Sequence, residues 1–452
     1  MNSSPSVLII TTQTWLQITR VALRFAAHGC RVSALCPEES HLTSSPQIAA
    51  VYRHGLLNPV AALRHAIQAS HAEFLLPTDD LSVWLLHELA IESTAFAPLI
   101  ERSLGSADAY PLLRSRFQLL ELAHQLDIAV PRTELIVNIQ DLEPWCAADA
   151  PAFVLKKDGT WGGGGVSIVR GPDQALAAWH RFSQPTSFTA RAACWLRNGD
   201  ASAFARLHCM SHPQITAQTL VRGIPANSMY ACHQGRILGE VQAQVVASKG
   251  STGPSFAIEL VTDPRISRAG SLLAERLQLS GFFGLDFIVD HYTGEPFLIE
   301  LNPRSTQLGH LAVPGQPGLT AMLWAQWTGN ELPPSAPESL GRSIGFYPDT
   351  QQLGLSHEPI ASFRSDLIEG EKELLSGLIF QHASRPRSLR RRLSSVLSSF
   401  KGSLQPDTTP QPFYHSTPAD AQDEKPRTAG DAGPVSSTAH PALSSTSTSR
   451  IS

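Results

Sequence analysis

Residues 281–305, GFFGLDFIVDHYTGEPFLIELNPRS, limit more than any other stretch what this chain can become. FFGLDFIVD and PFLIELN are apolar, β-branched runs on either side of a glycine-containing connection, a pattern that predicts a β-hairpin. Centring the hairpin on Thr293 sets Gly284 opposite Asn302, Asp286 opposite Glu300 and Ile288 opposite Leu298. Period-two alternation then gives one face to Phe283, Leu285, Phe287 and Val289 with Phe297, Ile299 and Leu301. The other face carries Asp286, Glu300 and Asn302. Carboxylates opposed in this way have Cβ atoms about 5 Å apart and repel each other. A divalent cation held by oxygen ligands offsets the repulsion. The competing reading is a hairpin whose second face is simply solvated.

At 452 residues the chain exceeds one compact core and predicts two or three domains. Its net charge of −4 argues against general nucleic-acid affinity. Six cysteines, scattered without a C-x-x-C pair, suit the reduced thiols of a cytoplasmic protein better than a zinc site or a disulfide framework. No apolar run reaches the ~20 residues of a membrane span, and SVLII near the start reads as a buried strand.

The first 110 residues alternate strands with helices. SVLIIT, RVSALCP and EFLLPT read as strands, and WLQITRVALRFAAHG as a helix with Trp15, Ile18, Ala22, Phe25 and Ala26 on one face. That alternation predicts a parallel, doubly wound sheet. Asp79 and Asp80, just after EFLLPT, are either substrate contacts at a strand end or helix N-caps. No G-x-G-x-x-G accompanies this region. Residues 112–126 predict one helix, which leads through Ile-Ala-Val-Pro into a strand. Residues 152–170, AFVLKKDGTWGGGGVSIVR, predict strand, glycine loop and strand. Small residues let the backbone N–H groups of such a loop close on phosphate oxygens while a lysine supplies charge. It lacks the Gly-Lys-Ser/Thr of a Walker A loop. A hairpin at His233-Gln234-Gly235 and an amphipathic helix ending at Gly281 complete the stretch before the first motif.

In this order the segments resemble the ATP-grasp superfamily, which includes carboxylate–amine ligases and the carbamoyl phosphate synthetase large subunit. The resemblance covers about residues 116–330 and implies an N-terminal Rossmann-like α/β domain ahead of an α+β ATP-grasp domain. It implies that Arg116 and Lys156 meet nucleotide phosphates, with Lys157 the fallback for Lys156. It further implies that Gly162, Gly163, Gly164 and Gly165 form the closing loop, and that Gln218, Thr219, Leu220 and Val221 form the hinge beside adenine. Asp286, Glu300 and Asn302 match the ligands of Mg2+ (Mn2+ being an acceptable substitute), and Arg304 matches the arginine that steadies the transferred phosphate. Two positions depart from the pattern: the hinge has no acidic residue after Gln218, and the first metal ligand is the short Asp286. The implied chemistry is ATP-dependent activation of a small carboxylate as an acyl phosphate, which an amine then attacks. The alternatives are carbamoyl phosphate formation, phosphorylation of a small molecule, and an ATP-binding module without turnover.

The resulting domain plan is 1–110 for the N-terminal α/β domain, 111–330 for the ATP-grasp domain, 331–383 for an extension packing on the core, and 384–452 for a disordered tail. Residues 385–401 carry six basic residues, and Leu389, Leu393, Val396, Leu397 and Phe400 share one helical face. That segment reads as a solvated tail or as a weak membrane-surface or partner helix.

Overall fold

A computed structural model describes residues 4–54, 58–147, 152–160, 164–184, 214–250, 253–350, 362–367, 371–384 and 411–412. Gly162, Gly163, Cys194, Cys209, the basic segment 385–401 and nearly all of the tail lie outside them.

The chain begins with strands β1 (Ser6–Ile10), β2 (Arg31–Cys36), β3 (Ala50–Arg53) and β4 (Phe74–Pro77), paired β3-β2-β1-β4 and all parallel. β1 is buried throughout because helices cover both faces of the sheet. Val7 and Ile9 pack with Ile18, Val21 and Phe25 of α1 (Leu16–Ala27). Leu8 and Ile10 pack on the other side with Leu63 of α2 (Pro59–Ser70) and Leu85 of α3 (Asp80–Glu92). Trp15 leaves the apolar face expected of it. It is the N-cap residue of α1, with extended backbone, and is 40% exposed.

After α4 (Ala97–Leu104) and the single turn α5 (Tyr110–Leu113), α6 runs from Arg116 to Gln125. The one helix expected over 112–126 is therefore two. The Ser115 hydroxyl accepts the Gln118 N–H, which starts a new helix and sets Arg116 at its first position.

A small antiparallel sheet follows: β5 (Thr133–Ile136), β6 (Phe153–Lys157), β7 (Val166–Val169) and β8 (Ile215–Thr219), ordered β5-β8-β6-β7 and backed by α7 (Pro172–Ser183). A larger sheet comprises β9 (Gly223–His233), β10 (Arg236–Ser248), β11 (Ser255–Val261), β12 (Gly281–Asp290), β13 (Pro296–Asn302), β14 (Ser343–Gly345) and β15 (Arg364–Ser365). Its order is β13-β12-β9-β10-β11-β14-β15, and β16 (Gln411–Pro412) pairs with the end of β10. One face packs Phe283, Leu285 and Phe287 against α6 and α8 (Pro264–Leu277). On the other, Met229, Ala231 and Phe282 share a core with β1 and with α9 (Leu319–Thr328). α8 stops at Leu277, short of the expected Gly281, because Gln278 adopts the left-handed conformation at φ 49. Gly281 instead opens β12 at φ +77, where an added Cβ would lie 2.4 Å from the Ser103 carbonyl oxygen, so that any side chain is excluded. The last described helix, α10 (Glu371–Ser384), returns to the start of the chain and packs Leu375 and Leu378 with Leu16, Leu23 and Tyr347.

The β12–β13 hairpin forms with the expected pairs Gly284–Asn302 and Asp286–Glu300. Beyond Asp286 the register slips by one, so that Phe287 faces Leu298 and Ile288 faces Phe297. Ile299 is the extra residue of a β-bulge. The expected face is corrected accordingly: Leu298 and Leu301 join the core, and Phe297 and Ile299 do not. Among the described residues no helix is long and apolar enough to cross a membrane.

Candidate active site

Four backbone segments meet at the polar end of the β12–β13 hairpin. β12 brings Asp286, β13 brings Glu300 and Asn302, and the turn after β13 brings Arg304. The neighbouring strand β9 places Asn227 directly opposite Asp286, on the same face. Asn227 Nδ2 donates to Asp286 Oδ1 at 2.6 Å and Asn302 Nδ2 donates to Oδ2 at 3.1 Å. Burial, and then the neighbouring Glu300 charge, push the Asp286 carboxyl up to about 6, against the pull of the two amide donors.

Arg116, at the start of α6, bridges this group to the glycine loop. Its Nη2 donates to Glu300 Oε1 at 2.5 Å and its Nη1 to Asp158 Oδ1 at 3.0 Å, while its backbone N–H reaches Asp158 Oδ2 at 3.4 Å. Burial works against the Arg116 charge, but Glu300 and Asp158 outweigh it and hold the guanidinium above its ordinary range. Asp158 directly follows β6, so the stem of the loop is tied to the carboxylate group. A cavity between them is lined by Trp84, Arg116, Asp158, Thr160, Glu300 and Pro303.

β6 separates the two candidate lysines by alternation. Lys156 Nζ points to the Ile299 carbonyl at 3.4 Å, the carbonyl of the bulge residue, whereas Lys157 Nζ donates to the Phe182 carbonyl of α7 at 2.5 Å. Lys156 is thus the lysine on the carboxylate side. Burial, and next Arg116, push its ammonium down to about 7, with Glu300 and Asp286 opposing. At the far end of the loop, the Gly165 carbonyl accepts the Lys157 N–H at 2.8 Å. A Cβ at Gly165 would fall 1.8 Å from Thr160 Oγ1, so this position has room only for glycine.

Gln218 stands apart from the group. It is buried in β8, and its Nε2 donates to Thr133 Oγ1 of β5 at 2.9 Å. Thr219 ends β8, and Leu220 and Val221 make the half-buried link to β9. Of the two aspartates after β4, Asp79 is the N-cap of α3: its carboxylate accepts from the Ser82 N–H at 3.0 Å, the Thr12 N–H at 2.6 Å and the Thr12 hydroxyl at 2.9 Å. Asp80 lies on Arg304, accepting from Nε at 2.8 Å and Nη2 at 3.2 Å, and Arg304 Nη2 also donates to Asn302 Oδ1 at 2.9 Å.

Asn227 and Asp158 join the group without being among the residues expected there. Asp158 had a local signal, since it follows Lys156-Lys157 at the head of the loop. Asn227 had none without the knowledge that β9 pairs with β12. The oxygen donors fit Mg2+, which prefers a few carboxylate or carbonyl oxygens and completes its octahedron with water or phosphate. Among the described residues no group of three or more His, Cys, Asp and Glu side chains is placed to hold a metal ion, so the donor set here would be two carboxylates and an amide.

No protein-family model matches the chain, and no curated protein does. Its structure is similar to solved ones. N5-carboxyaminoimidazole ribonucleotide synthetase from Thermus thermophilus superposes with TM-score 0.52 at 15% identity, covering 74% of this chain and 81% of that one. The biotin carboxylase–βγ-ATP complex from Campylobacter jejuni gives TM-score 0.51 at 14% identity, covering 75% and 73%. The biotin carboxylase domain of the Hydrogenobacter thermophilus 2-oxoglutarate carboxylase, in complex with MgADP, ADP and bicarbonate, gives 0.52 at 12%, covering 76% and 73%. At these identities the likeness speaks for the fold, and the fold is that of the ATP-grasp superfamily.

Proposed function

We propose that this chain, folded as an ATP-grasp protein, is an ATP- and Mg2+-dependent ligase that activates a small carboxylate as an acyl phosphate and joins it to an amine. The observation that carries the reading is the convergence of Asp286, Glu300 and Asn302 with Arg116, Lys156 and Arg304 where the two antiparallel sheets meet. Neighbours of the same fold were solved with βγ-ATP, MgADP and bicarbonate, which supports a nucleotide and a small carboxylate-like substrate here.

Asp286, Glu300 and Asn302 would hold Mg2+, which supplies charge neutralisation for phosphate oxygens. As the side chains stand, Asn302 offers its oxygen to Arg304 and its nitrogen to Asp286, so its amide must turn for the oxygen to serve a cation beside Asp286. Lys156 and Arg304 place positive charge against the phosphoryl group as it transfers. A substrate carboxylate oxygen attacks the γ-phosphorus, the bond to the bridging oxygen breaks and ADP leaves. The amine nitrogen then attacks the acyl carbon, phosphate departs and the amine proton passes to solvent. The acyl phosphate must be shielded from water, which would otherwise hydrolyse it.

Hydroxylamine tests this directly. With ATP, Mg2+ and a panel of amino acids and small carboxylates, the protein should release ADP and yield a hydroxamate from the accepted acid. Loss of Lys156 or Arg304 should slow that capture by about 10²-fold or more. ADP release with a stable free phosphorylated product, and no hydroxamate from any acid, would overturn the ligase reading in favour of a kinase-like one.

A further inference from the structure

Asp80 sits at the rim of the parallel N-terminal sheet, yet its carboxylate is spent on Arg304, 224 positions further on. Its placement is rigid. Asp79 beside it is anchored to the β1–α1 turn through Thr12 and to α3 through Ser82, and Asp80 occupies the first turn of α3, where the helix dipole favours a carboxylate.

The pairing selects one edge of the guanidinium. Nε and Nη2 face the two oxygens of Asp80, a side-on bidentate contact. The opposite edge, Nη1 and Nη2, is left toward Asn302 Oδ1 at 2.9 Å and the Ser305 carbonyl at 3.4 Å. Hydrogen-bond chemistry fixes the next step. Arginine only donates and the Asp286 carboxylate accepts, so Asn302 must turn its oxygen to Arg304 and its nitrogen to Asp286. Before a cation draws the Asn302 oxygen away, a continuous relay thus runs Asp80–Arg304–Asn302–Asp286, from the N-terminal sheet to the centre of the candidate site.

We propose that Asp80 is a positioning residue: by occupying the Nε–Nη2 edge of Arg304 it turns the Nη1–Nη2 edge toward the Asn302–Asp286 group, where the transferred phosphoryl group is held. The inference rests on the ligase reading for that phosphoryl group. Without Asp80 the long arginine side chain keeps its charge but loses its fixed plane, and a misplacement of about 1 Å is enough to cost on the order of 10²-fold in such chemistry.

The probes are ADP with Mg2+, and ADP with Mg2+ and aluminium fluoride as a mimic of the phosphoryl group in transfer, both followed by titration calorimetry. Wild type should bind the fluoride complex more tightly than MgADP. Arg304→Met should remove most of that extra affinity. Asp80→Ala should weaken the fluoride complex on the order of 10- to 100-fold while leaving MgADP within about twofold. Added to Arg304→Met, Asp80→Ala should do nothing more, and Asp80→Glu should restore part of the loss. If Asp80→Ala fails to fold, Asp80→Asn, which keeps one acceptor oxygen and loses the charge, takes its place. Equal weakening of both complexes would reduce Asp80 to a structural residue, and an unchanged or tighter fluoride complex would mean that it merely competes with the anion; either overturns the inference. Failure of wild type to bind MgADP at all would instead overturn the ligase reading beneath it.

Discussion

Replacing Asp366 with asparagine should cost the fold about 1.5–3 kcal/mol, the scale of a buried charged hydrogen bond, because Glu371 still pairs with the Arg20 charge. Arg20 is wholly buried on α1 and has no water to fall back on. Its guanidinium donates to the Asp366 carboxylate, to the Asp366 carbonyl at 2.6 Å and to Glu371 at 3.1 Å. Asp366 also accepts the Tyr347 N–H at 2.8 Å and lies 3.1 Å from His310 Nε2, and Glu371 reaches Arg24 at 3.3 Å. Asparagine would keep the Tyr347 bond but turn a donating amide or a neutral oxygen toward Arg20. Against a typical total of about 5–15 kcal/mol this is a large share. The comparison is Glu92→Gln, which breaks the Arg64–Glu92 pair at 3.5 Å, with both side chains more than 40% exposed, and should cost no more than about 1 kcal/mol. Urea unfolding followed by tryptophan fluorescence and circular dichroism reads both. Truncation after residue 361 should behave like Asp366→Asn or worse, whereas truncation after Ser384 should leave the midpoint in place. The double variant Arg20→Met, Asp366→Leu should cost less than the sum of its singles. A midpoint for Asp366→Asn no lower than that of Glu92→Gln would refute the buried cluster as the tie between α1 and the C-terminal extension.

Three further outcomes follow from the site and its surroundings. Glu300→Gln should abolish ATP turnover and lower stability by about 1–2 kcal/mol, since Glu300 is partly open to water yet bonded by Arg116 at 2.5 Å; a more stable variant by thermal unfolding would show that repulsion from Asp286 outweighs that pair. His87 is wholly buried, its ring stacked on Tyr110 at 3.6 Å, and burial, then Arg114, hold it well below its ordinary range. The unfolded chain takes up that proton near pH 6.5 and the folded chain does not, so stability should fall as pH drops below about 6.5, and His87→Phe should make the fall shallower in urea midpoints from pH 5 to 7.5; an unchanged slope would count against it. Lys156, pushed down to about 7 by burial and Arg116, should carry less than a full charge near pH 7, and the phosphates of metal-free ADP should raise it. Binding should then take up a fraction of a proton, seen calorimetrically in buffers of different ionisation enthalpy and lost in Lys156→Met; equal uptake in that variant would place the proton elsewhere.

What the sequence discloses is local. The fully buried β1 and the hairpin turn at Gln234-Gly235, both residues at positive φ, each carry their instruction within a few residues. The pairing of Asp286 with Glu300 was legible for the same reason, because a hairpin is closed by its own turn. Trp15 and the end of α8 depart from expectation at helix ends, where backbone conformation outside the periodic segment decides which residues are covered. Asn227 was invisible because its place depends on β9 lying beside β12, a pairing made across more than fifty residues.

The bulge at Ile299 shows why the remainder of the site could not be read by alternation. Strict period-two pairing would have buried Ile299 with Phe297 and left Leu298 on the polar face. The slip instead gives Leu298 to the core and leaves Ile299 unpaired, with its carbonyl 3.4 Å from the Lys156 ammonium. One extra residue thus meets two demands that a regular strand cannot meet together: apolar cover for Phe287 and Leu285, and an acceptor for a lysine arriving from the other sheet. Side-chain hydrophobicity records the first demand, since PFLIELN is apolar at Leu298 and at Ile299 alike, and is silent on the second, which falls on a backbone carbonyl. Asp80 is the same case on a larger scale. Its residue type suits an N-cap or a substrate contact, and only the meeting of two sheets assigns it to Arg304. The site is therefore written in residue types at the hairpin, and in backbone register and sheet-to-sheet contact everywhere else.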